Sequence, residues 1–432
     1  MRSAAHPPYP GAVASPDLRI WVDGEEFFVH HFDIGSAVLL EMGGPCEVRV
    51  RPAFGFERCV VRPLSRRLRA EVSGREAVLQ LDAPAKVSVE FDDRIRQPLF
   101  VLAHGPEENT PDRRDPNVLW FEAGQLHEPG LIDLRSDQTL YIEAGAMVRG
   151  QIRAWEATGV CVRGRGIFER ADVTYKTYLT IALLGCDGVL VEGITVVRSH
   201  HWTVVPAGCR DVRISGVSVL SGNPSDDGID VVGSQNVEID DVFIRTKDDC
   251  VAVKAFGDFH PRGAQDVTNV VVRDSTFWNA EWGNALEIGY ETRAERMSGI
   301  TFRNCDVIRC EHEGWSSGGT LTIHNGDRAE VSDVLYEDIR VEDSREKLFD
   351  FKVCFDQYSR DPERGSIRNV VARDVRVIGG PFPPSILQGY DKDHTLHEIA
   401  FERVTVHGQP FADKLSARMV AEKTRNLRFV PD

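Results

Sequence analysis

The segment NPSDDGIDVVGSQNVEIDDVFIRTKDDCVAVK, residues 223–254, carries carboxylates at Asp226, Asp227 and Asp230 and a second adjacent pair at Asp248 and Asp249. Between them apolar and polar residues alternate as in half-buried strand. Carboxylates brought close together repel one another and hold protons more tightly. A chain that gathers them uses them on a cation, or as the acid and base of a bond cleavage. The bland alternative is a set of ordinary turn aspartates whose short side chains cap the backbone. Which holds depends on whether the fold brings the two bursts together, and Asp227 and Asp248 are 21 residues apart.

The elements that must position them repeat. Short alternating stretches such as GVLVEGITVVRS, DVRISGVSVLSG, NVEIDDVFIRT and NVVVRDSTFWN recur through most of the chain. Their first apolar residues are Val160, Val189, Val212, Val237, Val270, Ile300, Val334, Val370 and Ile399, in steps of 29, 23, 25, 33, 30, 34, 36 and 29 residues. A unit this short cannot bury both its faces alone and must stack on its neighbours. Strand–turn–strand units of variable length predict a parallel β-helix, with extra residues bulging at a corner. The Leu signature and helical half of leucine-rich repeats are missing. Residues one coil apart then lie on adjacent rungs, about 4.8 Å between backbones. Asp227, Asp248 and Asp249 are expected around one small volume on the outer face.

Residues 1–115 read differently. LRIWVDGEEFFVHHF, CEVRVRP and AVLQLDAPAKVSVEF are short alternating strands broken by Gly, Pro and charged turns, and predict a small antiparallel β-sandwich. GPEENTPDRRDPNV reads as the linker to a solenoid over residues 116–432. The net charge of -16 argues against nucleic acid, and against a polyanion unless the site is locally basic. No apolar run is long enough to cross a membrane, so no membrane partner is expected. Nine cysteines show no CxxC or zinc spacing, and are expected as reduced core residues. With no apolar leader evident at the N-terminus, the expected location is cytoplasmic. Oligomeric state is not legible.

DDGID, then KDDC one coil later, then WGNALEIG together resemble the glycoside hydrolases of family 28, the polygalacturonase clan. The resemblance runs from about Asn117 to Val406 and is specific around the aspartates; RSHHWTVVP, upstream, is similar to a strand bordering the site in that clan. A sandwich ahead of the helix is similar to the architecture of family 49, the dextranases and isopullulanases. The resemblance implies a right-handed β-helix, an all-β chain, and hydrolysis of glycosidic bonds without a cofactor or metal. It assigns Asp248 as general acid, and Asp227 and Asp249 as the carboxylates that activate water. A gap wide enough for that water implies inversion at the anomeric carbon.

Departures from the clan's pattern bear on the substrate. Asn284 in GNA stands where the clan has a histidine between two glycines. The Arg-Ile-Lys segment is replaced by LTIHN, which offers only His324. In polygalacturonases those cations hold the substrate's carboxylates, so the resemblance with its losses implies a neutral oligo- or polysaccharide. His201, Lys254, Glu287 and Glu291 are candidates to hydrogen-bond sugar hydroxyls. Trp202, Trp282, Tyr290 and Trp315 are candidate stacking faces, although large aromatics in such strands also serve as core. Asp226 and Asp230 are expected to line or support the site. His200, His201, His312 and His324 have no metal-ligand spacing. Two other classes keep the fold: a polysaccharide lyase, which needs a uronate and a basic residue, and a non-catalytic carbohydrate-binding solenoid.

Overall fold

The residue just before each repeat anchor is a turn. Gly188, Asp211, Asn236, Asn269, Gly299, Asp333, Asn369, Glu398 and Asn426 all have φ between 51° and 68°. This left-handed region is open to Gly and tolerated by Asn and Asp; Glu398 is the one residue of the row outside that group. The side chains add a ladder of their own: Asn236 Nδ2 donates to Asp211 Oδ1 at 2.9 Å, and Asn269 Nδ2 to Asn236 Oδ1 at 3.1 Å.

These turns set the register. In the computed structural model, which describes residues 3–170, 179–311 and 318–432, Val189, Val212, Val237, Val270, Ile300, Val334, Val370, Ile399 and Leu427 are successive Cα partners on parallel strands. The uneven steps of the sequence leave the stack undisturbed. From Val118 onward, 31 strands of the described residues join in one continuous sheet that winds as a right-handed parallel β-helix. One short antiparallel pair, Thr405–Val406 with Gln409–Pro410, interrupts it. Inside, Val, Ile and Phe from all sides form one core along the axis, with rings in file: Phe302 on Tyr336 at 5.2 Å, and Tyr336 near Phe351 at 6.1 Å.

Residues 4–104 form two facing sheets around a core that includes Ile20, Val48, Leu79, Val89 and Val101. They are antiparallel but for one pair, Gly35–Glu41 with Leu99–His104, which runs parallel. The outer face of that sheet buries Leu39, Phe100 and Leu102 against Met147, Leu220, Phe243 and Trp278 of the solenoid. Lys86 reaches Asp241 at 2.5 Å, and Arg309 reaches Glu90 at 2.5 Å. The nine cysteines are free thiols, most of them buried.

A third side of the solenoid carries the chemistry-bearing residues. Its successive strands are β1 (Val204–Ala207), β2 (Ile229–Val232), β3 (Val251–Ala255), β4 (Leu286–Thr292), β5 (Leu321–Asn325) and β6 (Phe349–Val353). Alternation sends Ile229, Val231, Val251, Val253, Leu286, Ile288, Leu321 and Ile323 into the core. It sends Asp230, Lys254, Glu287, Thr322, His324 and Asp350 outward.

Candidate active site

The chemistry-bearing aspartates sit on the segments that lead into β2 and β3. Thr203 N–H donates to Asp227 O at 2.8 Å, Gly228 N–H to Asp249 O at 2.8 Å, and Cys250 N–H to Asn284 O at 3.0 Å. Residues 202, 227, 249 and 284 therefore lie on successive rungs at one edge of the sheet. The two bursts of the sequence meet: one oxygen each from Asp227, Asp248 and Asp249 lies within 4.8 Å of the others. That is closer than the gap of roughly 6.5–9.5 Å between carboxyl groups usual for inversion, so the wide gap expected from the sequence is not seen between these oxygens.

Each carboxylate is held differently. Lys254 Nζ lies 3.1 Å from Asp227 Oδ2, 3.0 Å from Asp230 Oδ1 and 3.8 Å above the Trp202 ring. Asp249 Oδ1 accepts from the backbone N–H of Asn284 at 2.6 Å and from its side-chain amide at 2.9 Å. Asp248 Oδ1 accepts the N–H of Asp249 at 2.9 Å, and Asp248 is the most exposed of the three. Burial, then the charge of Asp227, pushes the Asp248 carboxyl up to about 7. Burial first, then neighbouring carboxylates, raises Asp227 and Asp249 well above the usual carboxylate range as well. The trio thus keeps a proton near neutrality. Cationic or amide donors face Asp227 and Asp249, which favours the proton on Asp248.

Above the trio opens a cavity of about 750 Å³, lined by His201, Trp202, Asp227, Asp248, Asp249, Lys254, Trp282, Asn284, Tyr290 and Glu291 among the expected residues. Trp282 is 42% exposed and stands at its rim. Burial, then Lys254 and Arg170, lowers His201 to about 4, so it is neutral. Of the described lining residues, Asp227, Asp248, Asp249, Glu291 and Asp356 are acidic, and Lys254 is the one lysine or arginine.

Four residues expected to meet substrate sit behind the cavity wall, fully buried. Asp226 accepts the N–H groups of Lys247 and Asp248 at 2.7 and 3.1 Å, and so fixes the turn that carries Asp248. Asp230 shares Lys254 with Asp227. Glu287 and His324 bond each other at 3.0 Å, and His324 also meets Asp350 at 3.2 Å. Asp230, Glu287 and His324 face outward from their strands, Asp226 precedes β2, and all four are buried. Trp315 and His312 lie outside the described residues. Asp356, Gln357 and Tyr358 also line the cavity and escaped the sequence reading. They come from the loop after β6, where the 36-residue step from Val334 to Val370 was the available signal.

Residues 174–377 match the family described as Glycosyl hydrolases family 28, the same family the aspartate segments resemble. A polygalacturonase of Medicago sativa is 28% identical over 239 residues, covering 48% of this chain and 52% of that protein. Rhamnogalacturonase A of Aspergillus aculeatus is 28% identical over 178 residues, 41% of this chain and 36% of that protein. The chain thus spans about half, or less, of the length of these relatives. Among solved structures, Dex49A from Penicillium minioluteum superposes with a TM-score of 0.64 at 14% identity, over 98% of this chain and 96% of its own. The family 28 exopolygalacturonase of Yersinia enterocolitica gives 0.58 at 12% identity, over 100% and 95%. At these identities the structural likeness speaks for the fold.

Proposed function

We propose that this chain is a glycoside hydrolase that cleaves a neutral oligo- or polysaccharide, with Asp248 as general acid and Asp227 and Asp249 as the carboxylates that activate water. The observation that carries this reading is the meeting of three differently held carboxylates on adjacent rungs, beneath an open cavity large enough for sugar rings. Protonated Asp248 would donate to the departing glycosidic oxygen as the C–O bond breaks. A water held by Asp227 and Asp249 would give up its proton as its oxygen bonds to the anomeric carbon. The family match supports hydrolysis, and the acidic lining with Lys254 already engaged supports an uncharged glycan.

Inversion is what the family resemblance implies, whereas the close approach of the carboxylate oxygens would suit a nucleophile and retention. NMR of the first anomer released decides between them. The division into a sandwich, 1–115, and a catalytic solenoid, 116–432, belongs to the same proposal, supported by the separate core of the first two sheets.

A second reading is pectin-type hydrolysis, favoured by the name of the Medicago relative. The deciding experiment measures new reducing ends from neutral α- and β-glycans and from polygalacturonate, with Asp248→Asn as the blank. Release from a neutral glycan above that from polygalacturonate is expected. Cleavage of polygalacturonate alone would replace the first reading with the second. An unsaturated product absorbing in the near ultraviolet would show a lyase.

A further inference from the structure

Opposite Lys254 the sheet carries surplus chain. Val253 pairs with Ile288 and Ala255 with Thr292, so Gly289, Tyr290 and Glu291 of β4 stand against the single residue Lys254 of β3. A bulge of this kind bends its strand and re-aims side chains, and bulges are common beside active sites. Gly289 permits it here: its φ is 127°, and a Cβ at that position would run into the His324 carbonyl. All three residues of the bulge line the cavity above the aspartates.

The donors and acceptors of that cavity are unequally used. Lys254 Nζ lies 3.1 Å from Asp227 Oδ2, 3.0 Å from Asp230 Oδ1 and 3.8 Å from the centre of the Trp202 ring. An ammonium has three N–H bonds to give, and two carboxylates and an aromatic face take them. Glu291 and Asp356 are in the opposite condition. Both are half-buried, and among the described residues their carboxylates accept no hydrogen bond and join no ion pair. They share a volume with Asp248: burial, then the charge of Asp248, raises the Tyr358 hydroxyl above its ordinary value, and Glu291 and Asp356 add to the rise. An ionised carboxylate only accepts, so two sugar hydroxyls can donate to it and another carboxylate cannot. Two like charges about 5 Å apart in a partly buried site also repel by enough to cost tenfold or more in affinity.

We propose that Glu291, carried over the cavity by the bulge of β4, sets the choice of substrate: it accepts hydrogen bonds from two hydroxyls of one sugar ring and refuses a ring that bears a carboxylate. Asp356 adds to the refusal. This rests on the neutral-glycan reading and assigns the residue that produces the preference.

The test takes a neutral oligosaccharide that the full chain hydrolyses, and the same oligosaccharide oxidised at its primary alcohols to uronates as a competitive inhibitor. KM for the first and Ki for the second are measured in wild type, Glu291→Gln and Glu291→Asp. Glu291→Gln removes the charge and keeps the shape. Its KM should rise roughly tenfold, because hydrogen bonds to a charged group are lost, while its Ki should fall roughly tenfold or more. Glu291→Asp keeps the charge and should keep Ki within about threefold of wild type. A ratio of Ki to KM in Glu291→Gln within about twofold of wild type overturns the proposal, as does a Glu291→Asp that admits the uronate equally well. An oxidised oligosaccharide that binds wild type as tightly as the neutral one overturns it without any variant. Hydrolysis of polygalacturonate alone would instead end the neutral-glycan reading, whereas an unchanged ratio with neutral hydrolysis intact ends only the role of Glu291.

Discussion

Asn284 gives two hydrogens to one oxygen: its backbone N–H and its side-chain amide both donate to Asp249 Oδ1, at 2.6 and 2.9 Å, while its own Oδ1 accepts the Gly319 N–H at 2.9 Å. The residue aims Asp249 and favours its ionised form. Asn284→Ala removes the side-chain donor and keeps the backbone one. A hydrogen bond to a charged group is worth about 1.5–3 kcal/mol, so kcat should fall roughly 10- to 100-fold with KM little changed. Steady-state kinetics checks it; a raised KM at constant kcat would place Asn284 on the sugar instead.

The three aspartates should separate by leaving group. Asp248→Asn removes the proton donor and keeps its shape. Substrates with poor leaving groups should slow by several orders of magnitude, while a glycoside with an activated aryl group is spared. Asp227→Asn and Asp249→Asn impair water activation and should slow both kinds together. Near wild-type rates in all three variants would remove the assignment.

The pH profile follows from Asp248. Its acid form does the work and its pKa stands at about 7, so kcat/KM should fall as pH rises through it, while the need for ionised Asp227 and Asp249 should bring a second fall on the acid side. The alkaline limb should fade with an activated leaving group. The same group acts on stability. Raised from 3.8 to about 7, it contributes stability that is full below about pH 4 and lost as pH climbs to 7. Denaturation of wild type and Asp248→Asn at pH 4 and 7 should show the smaller pH dependence in the variant.

Lys254 lies between Asp227 and Asp230, and all three are buried. Lys254→Met leaves two buried carboxylates without their cation. Breaking such a set costs about 3–5 kcal/mol, to be read from the denaturant midpoint. Adding Asp230→Asn removes one of the stranded charges and should return part of the loss.

The path of the solenoid was legible because the signal is local and repeated: a Gly, Asn or Asp before every anchor but Ile399, at φ between 51° and 68°, then alternation. The meeting of Asp227 with Asp248 and Asp249 was legible because one short coil separates them. The burial of Asp226, Asp230, Glu287 and His324 was not. Alternation shows that a side chain leaves the core, and cannot show what will pack over it. Tyr358 and Asp356 reach the cavity from beyond β6, about 110 residues past Asp248, with no spacing rule to tie them to it. The parallel pairing of Gly35–Glu41 with Leu99–His104 is a non-local contact of the same kind.

Coil lengths vary from 23 to 36 residues while the anchors stay in register. The surplus falls in stretches such as 256–266, 280–285 and 354–365, on either side of the sheet β1–β6. For an evolving lineage this separates two kinds of change. Changes of loop length along the rims of the cleft would reshape the cavity and leave the stack in register. The ladder of left-handed turns absorbs none of them and keeps the three aspartates where they are. A library that randomises loop length at those rims alone would sample new specificities without having to rediscover the fold.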